Sequence, residues 1–210
     1  MASSYLQERV FLERTLALWG FKLDLGPSWE LLLALAQALE EEAQALHLTA
    51  VKGVVARLRG PFLESLLLAV HLPRVSPAAD LGTGAGIPGL VVKIVRPELE
   101  IHLLEAYPPR VEFMRRFIRE HGIKGAFVHG CHVGREDCGL EVPLVLARGY
   151  GEVGKFVFHA RNFLHAHKAY YLWRYHLEPW FSKELPMNLT ARYPYPKLGV
   201  ELLVWERLSG

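Results

Sequence analysis

The sequence has 210 residues, of which 51% are hydrophobic and 22% are charged. This composition can bury the core of one domain of ordinary size and excludes an intrinsically disordered chain. Lys and Arg number 24 and Asp and Glu number 22, for a formal net charge of +2. That balance excludes a histone-like polycation, although a local basic surface could still bind nucleic acid.

Residues 1–74 have a helical pattern. Apolar residues at three- and four-residue steps predict helices over 5–19, 29–46 and Leu63–Val70. Ser28 follows Gly26-Pro27 and is predicted to be the N-cap of the second helix. The first 19 residues contain interspersed Glu and Arg and lack the basic-then-apolar order of a signal peptide. No apolar run is long enough to span a bilayer, so we expect a cytoplasmic protein without a membrane partner.

After residue 75, short apolar strands alternate with helices, which is typical of a parallel sheet. Strands are predicted at Ala78–Leu81, Glu100–Glu105, Ala126–His129, Val142–Ala147 and Ala169–Tyr175. Helices are predicted up to about Arg96 and over Val111–His121 and Val153–Ala166. Asn188–Tyr193 and Val200–Arg207 form a predicted hairpin, which would add one antiparallel strand near an edge. We therefore predict an α/β fold with a helical region over 1–74 and a sheet domain over 75–210.

A glycine-rich turn follows the first predicted strand. Asp80, Gly82, Gly84 and Gly86 form the pattern D-x-G-x-G-x-G, which allows a sharp turn and close approach to a ligand at the start of the next helix. The run from Gly84 to Gly89 also satisfies the dinucleotide fingerprint, and Glu105 could hold a ribose hydroxyl in either case. The preceding acid favours S-adenosyl-L-methionine over a dinucleotide, while a merely structural turn remains a third interpretation.

The segments DLGTGAGIPGL, IVRPELEIHLLEA and RVEFMRR between Asp80 and Arg116 resemble the RsmG family, also called GidB. Weaker similarities occur at Leu48–Val51, Phe62–Leu66 and Leu146–Gly149. That family methylates N7 of a guanine in bacterial small-subunit (16S) ribosomal RNA. The resemblance implies a class I SAM-dependent methyltransferase sheet, which is Rossmann-like, with a small helical N-terminal region. It also implies S-adenosyl-L-methionine as cofactor and ribosomal RNA or the small ribosomal subunit as partner.

The resemblance carries over particular site residues. Gly82 and Ile87 match cofactor contacts of the loop, and Glu105 matches the acid that binds the ribose. His132 and Val133 occupy positions that flank the adenine, and Arg148 matches an arginine beside the reaction centre. From the residues alone, Arg148 could equally form an ion pair at the end of a strand.

A basic surplus lies in one segment, which carries five basic and two acidic residues over Arg110–Lys124. Arg110, Arg115, Arg119 and Lys124 are candidates for RNA phosphate contacts, with an ordinary solvated helix face as the alternative. The segment 155–183 alternates aromatic and basic residues; packing in the core is favoured over base stacking. His159, His165, His167 and His176 lack Cys or carboxylate neighbours at ligand spacing, so we predict no metal site.

Cys131 and Cys138 are the only cysteines and are expected to be reduced thiols. Several substrate-side positions differ from the family; for example, Pro61 stands where the family has histidine. Two alternatives to an RsmG-like enzyme therefore stay open. One is a divergent methyltransferase with another substrate, and the other is a cofactor-binding relative without transfer activity.

Overall fold

The computed structural model describes residues 5–48, 51–174 and 185–207. Its helices are α1 (Leu6–Leu18), α2 (Trp29–Glu41), α3 (Val54–Arg57), α4 (Leu63–His71), α5 (Gly89–Val95), α6 (Pro108–Glu120) and α7 (Val153–Asn162). Its strands are β1 (Ala78–Leu81), β2 (Ile101–Glu105), β3 (Ala126–Gly130), β4 (Leu144–Arg148), β5 (Lys168–Arg174), β6 (Met187–Tyr195) and β7 (Val200–Arg207). Thr49 and Ala50 of the weak family similarity, the predicted strand end at Tyr175, residues 176–183 of the aromatic segment and His176 lie outside the described residues.

The strands form one sheet in the order β3-β2-β1-β4-β5-β7-β6. The first five strands pair in parallel, and β7 pairs antiparallel with both β5 and β6. The prediction of one antiparallel strand near an edge is confirmed. The order reverses at β1, whose neighbours are β2 and β4, and ligands of open α/β sheets bind at such a switch point.

Alternate residues of the central strands enter two hydrophobic clusters, one on each face of the sheet. Leu144 and Leu146 belong to the cluster that includes α1, α2, α4, α5 and α6. Val145 and Ala147 belong to the cluster that includes α7. The first cluster contains residues on both sides of position 75, so the N-terminal helices pack directly on the sheet; the division into 1–74 and 75–210 stays a prediction.

Pro61 and Ser28 shape the N-terminal helices, and Ser28 does so differently from the prediction. Pro61 lies in a π-helical turn, Leu58–Phe62, between α3 and α4, since proline lacks the N–H that an α-helix needs there. Ser28 makes no side-chain cap of α2. Its hydroxyl donates instead to the carbonyl of Ile94 at 2.9 Å, which joins the N-terminal helices to α5.

Two predicted helices end early. α2 ends at Glu41 and α7 ends at Asn162, and His47 and His165 beyond them adopt positive φ values of 50° and 53°. After α7 the chain turns back towards β4, where the N–H of Val142 donates to the carbonyl of Leu164. These reversals depend on contacts far along the chain, which periodicity does not register.

The aromatic segment after α7 begins is mostly core. Phe156, Tyr170, Tyr171 and Trp173 are buried, whereas Phe158 is 49% exposed. The interpretation of this segment as core packing is confirmed for those four residues. No helix in the described ranges has the length and apolar character needed to cross a bilayer.

Candidate active site

The glycine-rich turn lies at the carboxyl end of β1, at the switch point of the sheet. Gly82, Gly84 and Gly86 all have positive φ values, of 67°, 63° and 95°, so the turn has the backbone that the sequence predicted. A Cβ on Gly84 would meet no atom within 4 Å. The chain there borders open space that a ligand can enter.

Asp80 connects the strand before this turn to the helix after it. Its side chain is completely buried, and Oδ2 accepts a hydrogen bond of 2.7 Å from the N–H of Gly89 at the start of α5. Burial raises the pKa of Asp80 to about 7. Asp80 was predicted to bind the cofactor, and the structure gives it a contact that joins β1 to α5.

The start of α5 does not offer the free N–H groups expected of it. The N–H of Gly89 is bonded to Asp80, and the N–H of Leu90 donates to the carbonyl of Gly86 at 2.8 Å. A pyrophosphate would need such donors. Their occupation argues against the dinucleotide interpretation of the glycine pattern.

A cavity of about 310 Å³ opens above the turn. It is lined by residues of the N-terminal region, of the turn after β1, of the start of α6 and of the end of β4, namely His47, Leu48, Val51, Arg57, Pro61, Gly82, Thr83, Gly84, Ala85, Ile87, Arg110 and Arg148. Among the described residues, the lining therefore includes three arginines and no carboxylate. Of the predicted site residues, Gly82, Gly84, Ile87, Arg110 and Arg148 are among them.

Glu105 lies beside this cavity at the end of β2. Its Oε1 accepts a hydrogen bond of 2.8 Å from the N–H of Tyr107, and its Oε2 lies 3.7 Å from Arg110 Nη1. Arg110 also donates to the carbonyls of Leu46 and His47, at 3.1 and 3.4 Å. Arg110 was predicted to contact RNA, but the structure places it between the ribose-binding candidate and the N-terminal region.

Arg148 lines the cavity and forms an ion pair with Glu64 of α4. The Glu64 carboxylate is buried, and Arg174 of β5 approaches its other oxygen at 3.4 Å. The interpretation of Arg148 as a strand-end ion pair is confirmed, and its role as a site residue stays a prediction that its position at the cavity allows. Glu64 fixes the guanidinium at the edge of the cavity.

The loop after β3 carries His132 and Val133. Val133 is buried in the cluster beside α7, and His132 is half-buried, with its N–H donating to Glu136. Cys131 and Cys138 form a disulfide bond with Cα atoms 5.9 Å apart, so the expectation of reduced thiols is wrong for this structure. Compartment arguments assign a redox state on average, whereas here the loop brings the two side chains together.

On α6 and the turn after it, Arg115, Arg119 and Lys124 are exposed. Arg115 Nη2 donates to the carbonyl of Val128 at 3.2 Å. Arg116 forms an ion pair with Glu42. Three of the four candidates for RNA contacts therefore remain on an accessible face, and the role of that face stays a prediction.

The lining of the cavity tests whether S-adenosylmethionine fits here. The backbone at Gly84 leaves open space where a Cβ would stand, so a ligand can lie against the turn. Thr83 also lines the cavity, and its buried hydroxyl interacts with the Asp80 carboxylate. Arginines suit the carboxylate of an amino-acid group, and Glu105 suits ribose hydroxyls, so these residues fit the cofactor.

Several of these residues were not predicted from the sequence. Arg57 is 3% exposed, is paired with Glu40 at 2.9 Å and lines the cavity. Thr83 and His47 also line the cavity, and Glu64 is connected to it through its ion pair with Arg148. Thr83 stands inside the glycine motif and could have been found there, but Arg57, His47 and Glu64 are brought to the site only by tertiary packing. Within the part of the chain that the structure describes, no group of three or more His, Cys, Asp or Glu could hold a metal ion.

The sheet order, the glycine turn at the switch point and the acid at the end of β2 define a class I methyltransferase fold. Comparison with solved structures agrees. A mutant of MtNAS in complex with S-adenosylmethionine matches with a TM-score of 0.59 at 17% identity, over 87% of this chain and 75% of that one. A methyltransferase from Geobacter sulfurreducens matches with a TM-score of 0.53 at 17% identity, over 84% and 89%.

Sequence comparison identifies the family. The family model described as GidB, rRNA small subunit methyltransferase G, matches residues 28–177. The chain belongs to this family. It is 29% identical to ribosomal RNA small subunit methyltransferase G of Desulfotalea psychrophila over 160 residues, which is 74% of this chain and 73% of the relative. It is 42% identical to the protein of the same name from Moorella thermoacetica over 84 residues, 39% of this chain and only 35% of that relative.

Proposed function

We propose that this protein is an S-adenosylmethionine-dependent methyltransferase that acts on N7 of a guanine in 16S ribosomal RNA, in the cytoplasm. Family membership supports the reaction class. The observation that carries the proposal is the cavity over the glycine turn, which combines the open backbone at Gly84 with three arginines. Its partner would be the small ribosomal subunit or its RNA.

The chemistry suits a cavity whose described lining has no carboxylate. N7 of guanine has a lone pair and no proton to lose, so a general base is not needed. The bound cofactor supplies an electrophilic methyl group. The protein must therefore align the two reactants and exclude water, which are effects of position rather than of proton transfer.

Each residue has a distinct part in this proposal. Glu105 holds the ribose hydroxyls through Oε2, because Oε1 is engaged by Tyr107. His132 and Val133 flank the adenine. Arg148, fixed by Glu64, orients the guanine through its O6 carbonyl, since arginine is a common donor to that atom.

Cofactor binding is the first test. Titration calorimetry with S-adenosylmethionine should show saturable binding, and Glu105→Ala should weaken it by about 1–3 kcal/mol, the cost of unpairing buried hydroxyls. Tighter binding of NAD would contradict the proposal.

Methyl transfer is the second test. Arg148→Ala should lower kcat/KM on small ribosomal subunits by about 100-fold, as expected when a reacting group loses its alignment. Arg174→Ala is the matched control, because Arg174 also pairs with Glu64 but does not line the cavity. Equal losses in both variants would assign Arg148 a structural role only.

The dependence of RNA affinity on salt concentration tests whether the exposed face of α6 binds RNA. Replacing Arg115 and Arg119 by Ala should flatten the dependence of log K on log salt by about 0.7 for each single-strand phosphate that the protein no longer neutralises. Arg116→Ala serves as control, since Arg116 is engaged by Glu42. An unchanged slope would make this an ordinary solvated face.

A further inference from the structure

We propose that Tyr150 and His159 are positioning residues that hold the glycine turn and the loop after β3 in a fixed relation. This inference rests on the proposed function, because those two segments are the proposed walls of the cofactor site. Neither side chain lines the cavity over the turn. Their effect would therefore reach a ligand through the segments they contact.

Tyr150 supports the glycine turn directly. A Cβ built on Gly82 would lie 2.7 Å from Cδ2 and 3.0 Å from Cε2 of the Tyr150 ring. Only glycine allows the ring to lie this close to the backbone of the turn. Gly82 thus serves the packing of Tyr150 as well as the shape of the turn.

The Tyr150 hydroxyl forms a hydrogen bond with a residue of α7. It lies 2.7 Å from Nδ1 of His159, whose side chain is buried at 8% exposure. Burial lowers the pKa of His159, with further contributions from Lys155 and His132. We assign the neutral imidazole the tautomer in which Nδ1 accepts a hydrogen bond from the Tyr150 hydroxyl and Nε2 carries the proton.

His159 supports the loop after β3 in the same manner. A Cβ on Gly134 would overlap Cε1 of the imidazole and lie 2.5 Å from Nε2. Gly134 belongs to the eight-residue loop closed by the Cys131–Cys138 disulfide bond. That loop also carries His132 and Val133, so the ring of His159 fixes the segment that is proposed to flank the adenine.

These interactions form a continuous path from Gly82 through Tyr150 and His159 to Gly134. Each end is a glycine that a side chain approaches too closely for any other residue. The polar link in this path is the hydrogen bond between Tyr150 and His159. Removing it should loosen the relation between the two walls while the sheet and both hydrophobic clusters remain intact.

The test measures the affinity for S-adenosylhomocysteine by calorimetry and, separately, the thermal unfolding of the ligand-free protein. Tyr150→Phe keeps the ring and removes the hydroxyl, and His159→Phe keeps an aromatic side chain, of larger size, that cannot accept the hydrogen bond. His159→Asn restores an acceptor, because its Oδ1 can occupy the position of Nδ1. Tyr195→Phe is the matched control, since the Tyr195 hydroxyl bonds His71 Nε2 in the same way on another part of the fold.

We expect Tyr150→Phe and His159→Phe each to weaken binding about fivefold, the equivalent of one net hydrogen bond. The double variant should be no weaker than either single one, and His159→Asn should recover most of the affinity. Tyr195→Phe should lower the unfolding temperature about as much as Tyr150→Phe does, without changing the affinity for S-adenosylhomocysteine.

Unchanged affinity in Tyr150→Phe and His159→Phe, beside normal binding by the wild-type protein, would overturn this inference alone. Equal weakening by His159→Asn and His159→Phe would also overturn it, because the hydrogen bond would then be irrelevant. A wild-type protein that binds no S-adenosylhomocysteine would overturn the proposed function together with the inference.

Discussion

Gly89 is the position where the glycine turn tolerates a side chain least. A Cβ there would overlap Cδ2 of Leu103 and lie 2.7 Å from Oδ2 and 3.0 Å from Cβ of Asp80. Leu103 and Asp80 are both completely buried, so neither has room to move away. Gly89→Ala would also strain the hydrogen bond of 2.7 Å between the Gly89 N–H and Asp80.

The magnitude follows from three contributions. Overpacking in a dense core costs about 1–3 kcal/mol, and a buried carboxylate that loses its donor costs about 1–3 kcal/mol. Alanine returns about 0.5–1 kcal/mol through its better helix propensity. We therefore expect Gly89→Ala to lower the free energy of unfolding by about 3 kcal/mol.

Gly84→Ala is the matched control within the same motif. Its Cβ would meet no atom within 4 Å, although φ is 63°, so the loss should be about 1–2 kcal/mol from the left-handed backbone alone. Urea unfolding followed by tryptophan fluorescence measures both variants. A Gly89→Ala variant no less stable than Gly84→Ala would show that close packing around Asp80 does not limit this position.

Three further predictions concern the site. Glu64→Gln should lower the free energy of unfolding in urea by about 2 kcal/mol, because Arg148 loses a buried partner while remaining partly solvated. An unchanged free energy of unfolding would mean that the ion pair contributes nothing to stability. Reduction of the Cys131–Cys138 bond should lower the free energy of unfolding by about 2.5 kcal/mol, and replacing both cysteines by Ser should reproduce the loss and abolish sensitivity to reductant. Burial raises the pKa of Asp80 from 3.8 to about 7, so between these pH values the folded state binds a proton that the unfolded state has released. The free energy of unfolding should therefore fall as pH rises from about 4 to 7. Asp80→Asn should remove that part of the pH profile, and an unchanged profile would contradict the prediction.

The regular elements were largely predictable because their signals are local. The run Ala78–Leu81 is bounded by proline and glycine and forms β1 with the predicted bounds. The glycine turn was predictable for the same reason, as its pattern determines its own backbone. The early ends of α2 at Glu41 and of α7 at Asn162 were missed, because they depend on tertiary contacts such as the hydrogen bond between Val142 and Leu164.

The site was only partly predictable because its side chains are paired over long distances in sequence. Glu64 and Arg148 are separated by 84 positions, and no local pattern connects them. Arg110 looked like one member of a basic helix face, but the carbonyls of Leu46 and His47 draw it towards the cavity. The sequence shows that this side chain is charged, but packing determines where it points.

Methylation of ribosomal RNA is the central claim, and its product can be mapped directly. Small ribosomal subunits from a strain lacking the modification would be incubated with the protein and S-adenosylmethionine. N7-methylguanosine has a positively charged ring, so mild reduction and aniline convert it to a strand break that primer extension locates. We predict one new break in 16S ribosomal RNA, absent or greatly reduced with Arg148→Ala. Tight cofactor binding without any break, or methyl transfer to another nucleic acid or to protein, would contradict the account.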